Sequence, residues 1–464
     1  MASTKNTDLY TSFLESKAIV PQLHGMRTVP QLNPMLRDFQ RDCTSWALQH
    51  GRGALFQECG LGKTPQQLEF ANQVAGSSDG GRVLILAPLA VSHQTVREGV
   101  KFNVPVTYAR EQSEAKGDVV ITNYERLERF DASKFAGVVL DESSILKAYS
   151  GAMKQAILKT FAGHRWRLAC TATPAPNDYL ELGNHAEFLG VLSSHEMIAR
   201  WFLPDTSSFG KYRLKGHAIT PFWDWVASWA RCLSRPSDLG YSDAGYVLPE
   251  LRELSHTLEV DITTGRGNGQ LFRAPEMSAT QVHAEKRRTV VDRARKVAEL
   301  VTSEPGETWV IWCETDYEDD ALRAVLPDAV SIRGSQDPDA KEKSLLAFAD
   351  GSIRVIITKP KLAGFGLNWQ HCARTAFVGP TFSYEAYYQA VRRMWRFGQP
   401  RPVDCHVVMA HTEVDVWNIM QEKARAHDAM KIEMFAASKR GRERSEQRAY
   451  DYTPQHKGNL PSWM

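Results

Sequence analysis

Little in this sequence is in excess. Lysine and arginine number 56 against 54 acidic residues, a formal net charge of +2 over 464 residues. The chain is therefore no polycation, and any polyanion it binds must be met by a local basic surface. The seven cysteines (Cys43, Cys59, Cys170, Cys232, Cys313, Cys372 and Cys405) are odd in number and never fall as CxxC. That argues against zinc and disulfide frameworks and for a reducing compartment. No apolar stretch approaches the roughly 20 residues that a membrane-spanning helix needs. The polar stretch Met1–Phe13 lacks the apolar core of a signal peptide. Internal repeats and low-complexity tracts are missing as well. With ordinary hydrophobic (43%) and charged (24%) fractions, the expectation is a folded, soluble, cytoplasmic protein with no membrane partner.

What is present is an alternation of short apolar runs and longer helical patterns. Runs at Val83–Pro88, Val119–Asn123, Val138–Glu142 and Leu168–Thr173 form one group. Trp309–Cys313, Val330–Arg333, Val355–Thr358, Thr375–Val378 and Cys405–Met409 form a second. Near-continuous apolar strands separated by helices predict parallel sheets covered on both faces, hence an α/β fold with two lobes. The stretch between Tyr179 and Arg235 is rich in Trp and Phe at helical spacing, with Trp223, Val226 and Ala230 able to share a face. It predicts helices packed on the first lobe, with the Trp223–Trp229 aromatics in the core. Turn residues at Gly240–Leu248 and Gly265–Gly269 mark a connection, and Ala279–Val301 reads as one charged amphipathic helix. The resulting division is an N-terminal segment 1–35, a first lobe 36–178, its helical extension 179–239, an inter-lobe connection 240–278, a second lobe 279–430 and a charged tail 431–464. From Ser438 the tail is expected to be extended or only partly ordered.

Glu58-Cys59-Gly60-Leu61-Gly62-Lys63-Thr64 is the clearest chemical feature. Gly60 and Gly62 let the backbone turn its N–H groups toward phosphate oxygens at the start of a helix. Lys63 is placed to reach the terminal phosphates, and the Thr64 hydroxyl to ligate magnesium. The strict pattern has a glycine where this chain has Gln57. Val138–Glu142 is an apolar strand ending in two carboxylates. Asp141 suits a water-mediated magnesium contact, and Glu142 suits polarisation of the water attacking the γ-phosphate. Gln40, on a helix opening at Leu36, can both donate and accept, as reading an adenine edge requires. In Gln389–Gln399, Arg393 and Arg396 are three apart and would share a helix face, aimed at a transferring phosphoryl group.

In this order the motifs resemble those of superfamily 2 helicases and, within them, the Swi/Snf-like ATPases, from about Leu36 to Val414. Leu36–Gln40 resembles the adenine-reading glutamine motif and Glu58–Thr64 the family's phosphate loop. Leu140–Ser144 resembles motif II, Thr171-Ala172-Thr173-Pro174 motif III, Gly364–Asn368 motif V and Gln389–Gln399 motif VI. The resemblance implies two tandem RecA-like lobes with ATP and magnesium in the cleft between them. It implies that Gln40, Lys63, Thr64, Asp141 and Glu142 come from the first lobe and Gly366, Arg393 and Arg396 from the second. Thr171 and Thr173, with Gln389, would couple the γ-phosphate to the strand-binding surface. The activity implied is DNA-dependent ATP hydrolysis with translocation on DNA and its remodelling or unwinding, double-stranded DNA preferred and single-stranded possible. An RNA helicase of the same superfamily is one alternative, and a non-translocating, DNA-bound ATP switch is another. Only about 135 residues separate motif III from the Trp309 strand. The large insertions of chromatin remodellers do not fit there, which points to a compact bacterial or bacteriophage type.

Two departures stand out. Motif II reads Asp-Glu-Ser-Ser, without the histidine that usually contacts the other lobe, leaving Ser144 as a hydroxyl partner. Lys359-Pro360-Lys361 stands where the family usually has Ser-Thr-Arg, offering Lys361 as a cation. The resemblance places strand contacts at sheet tips: Pro88, Ser92, His93, Thr122, Asn123 and Tyr124 in the first lobe, Arg333, Lys359 and Lys361 in the second. Such contacts position phosphates without reading sequence. Trp369 is open to two readings, a base-stacking residue or a buried aromatic. His406 and His411 have no partner at metal spacing.

Overall fold

The computed structural model describes residues 23–77, 81–147, 151–205, 212–260, 279–363 and 368–451. The first sheet has seven strands: β1 (Arg52–Gln57), β2 (Val83–Ala87), β3 (Val106–Tyr108), β4 (Val119–Asn123), β5 (Gly137–Asp141), β6 (Trp166–Thr171) and, after a small antiparallel hairpin of β7 (Phe202–Pro204) and β8 (Tyr212–Leu214), β9 (Ala230–Leu233). Their order is β3-β4-β2-β5-β6-β1-β9, and every pairing in it is parallel. The second sheet has six: β10 (Leu251–Leu258), β11 (Trp309–Trp312), β12 (Val330–Ile332), β13 (Val355–Thr358), β14 (Arg374–Phe377) and β15 (Val403–Ala410). It runs β10-β15-β14-β11-β13-β12, again all parallel. The fold is thus the expected pair of parallel-sheet α/β lobes. Its central strands β2, β4, β5 and β6 are buried along their whole length, as apolar runs covered by helices must be.

Three features differ from the sequence reading. The aromatic-rich stretch does supply buried helices, with Trp223 and Trp229 in the first lobe's core. It also returns a strand, β9, to the edge of the first sheet. Strand β10 lies in the segment read as a connection, yet it pairs with β15 over its full length. Its five exposed residues, Arg252–Ser255 and Thr257, give no apolar run to recognise. The amphipathic stretch Ala279–Val301 is two helices, Ala279–Arg288 and Val290–Ser303, broken at Thr289.

The tail is the largest correction. Val414–Asp451 is one helix of 38 residues, where an extended or partly ordered chain was expected beyond Ser438. The helix starts in the second lobe, whose core includes Trp417 and Met420. It then crosses to the first, where Met430, Met434 and Ala437 join the apolar cluster and Arg440 pairs with Asp224 at 2.7 Å. Spacings of four and three put those apolar residues on one stripe, and burying the stripe holds the helix in place.

Candidate active site

The site forms where the carboxyl ends of β5, β6 and β1 lie side by side, the usual place for ligands in parallel sheets. Register sets Asp141 opposite Cys170 and Phe56 opposite Thr171. The residues that follow each strand therefore converge. After β1 comes the phosphate loop, with Gly60 and Gly62 at φ +92° and +77°, a region that favours glycine. A Cβ at Gly62 would stand 2.3 Å from Gln40 Nε2. That amide donates to the Leu61 carbonyl at 2.9 Å, while the Arg37 N–H donates to Gln40 Oε1 at 2.9 Å. Gln40 is therefore fastened to the loop that follows Glu58. Lys63 opens the helix Lys63–Gly76, and its ammonium donates to the carbonyls of Gln57 (2.9 Å) and Glu58 (3.4 Å). Thr64 is half-buried beside it. The unusual Gln57 is fully buried and exchanges a reciprocal amide pair with Gln66, both bonds 2.8 Å.

At the end of β5, Asp141 accepts from the Gln67 amide at 2.7 Å, and burial raises its pKa. Glu142 has φ +54°, a left-handed conformation costing a non-glycine residue about 1–2 kcal/mol. Burial pushes its carboxyl up to about 7, Asp141 adds to the rise, and Lys63 and Arg393 oppose it. The Thr171 hydroxyl lies 3.4 Å from the Glu142 carboxylate, and the Thr173 N–H donates to Thr171 Oγ1 at 3.1 Å. Both threonines are fully buried, and Ala172 between them packs into the second lobe's core.

The second lobe supplies the arginines, though not from a helix. The helix Tyr384–Val391 ends before them, and Arg393 and Arg396 follow in tight turns closed by bonds such as Arg393 N–H to the Ala390 carbonyl (3.2 Å). The shared helix face expected from their spacing is therefore replaced by a folded turn. Arg393 is nearly buried at 8% exposure. Burial, with Arg396 nearby, brings its pKa down to about 10, while Cys59, Glu142 and Asp141 oppose that fall. Gln389 is buried at the end of the helix. Gly366 and the residues 364–367 around it lie outside the described residues.

Several participants were not recognised in the sequence. Gln67 lies four residues after Lys63, on the same helix face. His185 reaches Ser143 Oγ at 3.1 Å, its pKa lowered to about 4 by burial, so motif II does meet a histidine, but one from the first lobe. Ser144 is buried. The inter-lobe link expected of it is made by Lys147, which pairs with Glu385. Glu58, at the mouth of the loop, binds Arg392, Tyr388 and Lys431.

The expected strand-contact residues divide. Ser92 and Thr122 are fully buried and Asn123 and Tyr124 nearly so, with Tyr124 donating to the Asp141 carbonyl at 2.7 Å. Their side chains are interior: Thr122 and Asn123 end the fully buried strand β4, which runs directly into Tyr124, and Ser92 lies on the helix Leu89–Lys101 that follows β2. Arg333 pairs with Asp319 and Asp320, and Lys359 with Asp316 at 2.7 Å. Pro88 is half-buried, His93 is exposed and packs at a tilt against Tyr108 (ring centroids 4.9 Å), and Lys361 is exposed. Trp369 is fully buried against Trp312 and Phe348, which decides for the core aromatic.

Two parallel-sheet lobes, a glycine-lysine-threonine phosphate loop, paired strand-end carboxylates and arginines from the opposite lobe define an ATP-hydrolysing enzyme of helicase architecture. Family models agree: an SNF2-related domain matches residues 39–208, and a helicase conserved C-terminal domain matches residues 292–398. The chain belongs to the Swi/Snf-like ATPases of helicase superfamily 2. It is 22% identical over 461 residues to the Drosophila melanogaster SWI/SNF-related matrix-associated actin-dependent regulator of chromatin subfamily A-like protein 1, covering 90% of this chain. The match spans 58% of that relative's length. Among solved structures it is similar to the Sulfolobus solfataricus SWI2/SNF2 ATPase core in complex with dsDNA, with a TM-score of 0.42 and 16% identity over 89% of this chain and 97% of that one. Among the described residues, no helix is long and apolar enough to cross a membrane.

Proposed function

We propose that the chain is a magnesium-dependent, nucleic-acid-stimulated ATPase that translocates on DNA and remodels or unwinds it. The observation supporting this most directly is that the two lobes meet at the site, where Arg392, next to Arg393, donates to Glu58 at the phosphate loop at 2.6 Å. Hydrolysis then requires the lobes to meet, and product release lets them part, the alternation that a stepping motor needs.

In this reading Gln40, Gly60, Gly62 and Lys63 hold the nucleotide, joined by Gly366 from the second lobe. The Thr64 hydroxyl and the Asp141 carboxylate are hard oxygen donors that suit magnesium, with water completing its shell. When bound, the ion neutralises charge on the phosphate oxygens. Glu142, with its raised pKa, accepts a proton from the attacking water. Arg393 and Arg396 stabilise charge on the transferring phosphoryl group, a contribution worth about 10³–10⁵ in rate in related chemistry. Thr171 and Thr173, with Gln389, carry the state of the phosphate between the lobes.

The Swi/Snf character of the phosphate loop and of Arg393–Gln399 favours DNA, double-stranded before single-stranded, over RNA. The Drosophila relative is named a regulator of chromatin. His93 and Lys361 are exposed candidates for backbone contacts. Measuring ATP turnover with double-stranded DNA, single-stranded DNA and RNA tests the reading. Stimulation by DNA is expected. Stimulation by RNA alone would make it an RNA helicase, and none by any polymer would leave a non-translocating switch.

A further inference from the structure

We propose that Glu58 is a positioning residue for hydrolysis: it pins the arginine turn of the second lobe onto the phosphate loop, and Lys431 of the long C-terminal helix holds it there. The inference rests on reading Arg393 and Arg396 as the groups that meet the transferring phosphoryl group.

Glu58 follows β1 directly and is 7% exposed. One carboxylate oxygen accepts from Arg392 Nη2 at 2.6 Å and from the Tyr388 hydroxyl, and the other pairs with Lys431. The Arg392 guanidinium also lies 4.2 Å from the Trp395 ring centroid and 5.2 Å from that of Tyr388. Burial by itself would neutralise these groups. Instead Arg392 and Lys431 outweigh burial and hold the Glu58 carboxyl far below its usual range. Glu58 in turn lifts the Arg392 pKa against burial.

This cluster touches both ends of the machinery. Arg392 immediately precedes Arg393. The Glu58 carbonyl is one of the two that receive the Lys63 ammonium. Two residues beyond Glu58, a Cβ at Gly60 would stand 3.1 Å from Phe397 Cβ, so the far end of the arginine turn rests on the loop as well. Lys431 arrives on a helix anchored in both lobes, through Trp417 and Met420 in one and Met434 and Arg440 in the other.

A buried ion pair is weak evidence for stability, because desolvation offsets most of its attraction, but it fixes geometry. The geometry fixed here is that of the phosphoryl-stabilising turn relative to the loop, where a displacement of about 1 Å can cost on the order of 10²-fold in rate. ATP affinity, which in this reading rests mainly on Gln40, Gly60, Gly62 and Lys63, is affected much less.

The test measures kcat, KM for ATP and Tm in the full chain. Glu58→Gln is expected to lower kcat about 10²-fold with KM changed less than about threefold. Lys431→Gln, which leaves the loop untouched, should lower kcat about tenfold, and Lys431→Arg should restore it. On an Arg393→Ala background, Glu58→Gln should cost far less than in the parent, because it acts through that turn and only Arg396 is left to be misplaced. Unchanged kcat in both Glu58→Gln and Lys431→Gln would overturn the proposal, as would additive losses in the double variant. An unchanged kcat in Arg393→Ala itself would instead refute the arginine reading on which the proposal rests. The two failures are thus distinguishable.

Discussion

Gln67 donates its side-chain amide to Asp141 at 2.7 Å, joining the phosphate-loop helix to the end of β5 by a bond between residues 74 apart in sequence. The bond holds a buried carboxylate that the proposed mechanism needs in one orientation. Removing the donor leaves that carboxylate without its amide partner, a loss of about 1–3 kcal/mol. Gln67→Leu is therefore expected to lower kcat between about fivefold and 10²-fold. ATP affinity should change little, because Gly60, Gly62 and Lys63, proposed to hold the nucleotide, are left in place. Steady-state turnover beside equilibrium binding of a fluorescent ATP analogue separates the two. Parallel losses in both would show that Gln67 only supports the fold.

Glu142 combines a left-handed backbone, φ +54°, with a carboxyl raised to about 7, chiefly by burial. Strain kept at such a position is commonly functional. Glu142→Gln keeps the shape and removes the proposed base, so ATP binding should persist while turnover falls by about 10²–10⁴-fold, the usual contribution of general-base catalysis. A variant that hydrolyses ATP at the parent rate would place the base elsewhere.

The parts of this architecture that were legible in the sequence are those whose information is local. Fully buried parallel strands show as apolar runs, as Val83–Ala87 and Val138–Leu140 do, and the motif residues sit beside the glycines or strand ends that orient them. The parts that were not legible depend on distant partners. Glu58 is recognisable as a clamp only once Tyr388 and Arg392, 330 and 334 residues away, are beside it. Strand β10 is a mostly exposed edge, and an edge strand needs no apolar run. The tail's alternating charges suit a helix as well as an extended chain, and the deciding stripe of Met430, Met434 and Ala437 acquires meaning only against the first lobe. Ser92 and Thr122 were placed at sheet tips by family position, whereas depth in the fold is set by what covers them.

Trp369 separates core packing from nucleic-acid stacking. Its ring is fully buried, 5.0 Å from Phe348 and 5.9 Å from Trp312. Trp369→Ala is expected to destabilise the second lobe by about 3–5 kcal/mol, the range for truncating a large buried aromatic. Trp369→Phe should recover most of that. Thermal unfolding reports both, and for the folded Phe variant polymer affinity should equal the parent's. Weakened polymer binding at unchanged Tm would restore the stacking role.

His427 makes a sharper prediction about acid stability. It is 2% exposed, packs against both the Tyr384 and Tyr388 rings, and neither ring nitrogen has a hydrogen-bond partner among the described residues. Burial first, then Lys431 and Arg392, lower its pKa from 6.5 to about 3, with Glu58 opposing. In the unfolded chain it protonates near 6.5, whereas in the folded chain it stays neutral until about 3. Between those values the unfolded state binds the extra proton, so His427 erodes stability as pH falls through that window and has no such effect above it. Carboxyls with raised pKa, such as Glu142, act in the opposite direction, so the whole-protein profile does not isolate the histidine. A comparison does. His427→Leu removes the titrating group, and its stability relative to the parent should improve by about 2 kcal/mol between pH 7.5 and pH 5. In thermal melts the difference in Tm should shift in the variant's favour as pH falls. A difference independent of pH would mean that the imidazole titrates in the folded protein as it does in the unfolded chain, and a shift in the parent's favour would mean that it is protonated and paired.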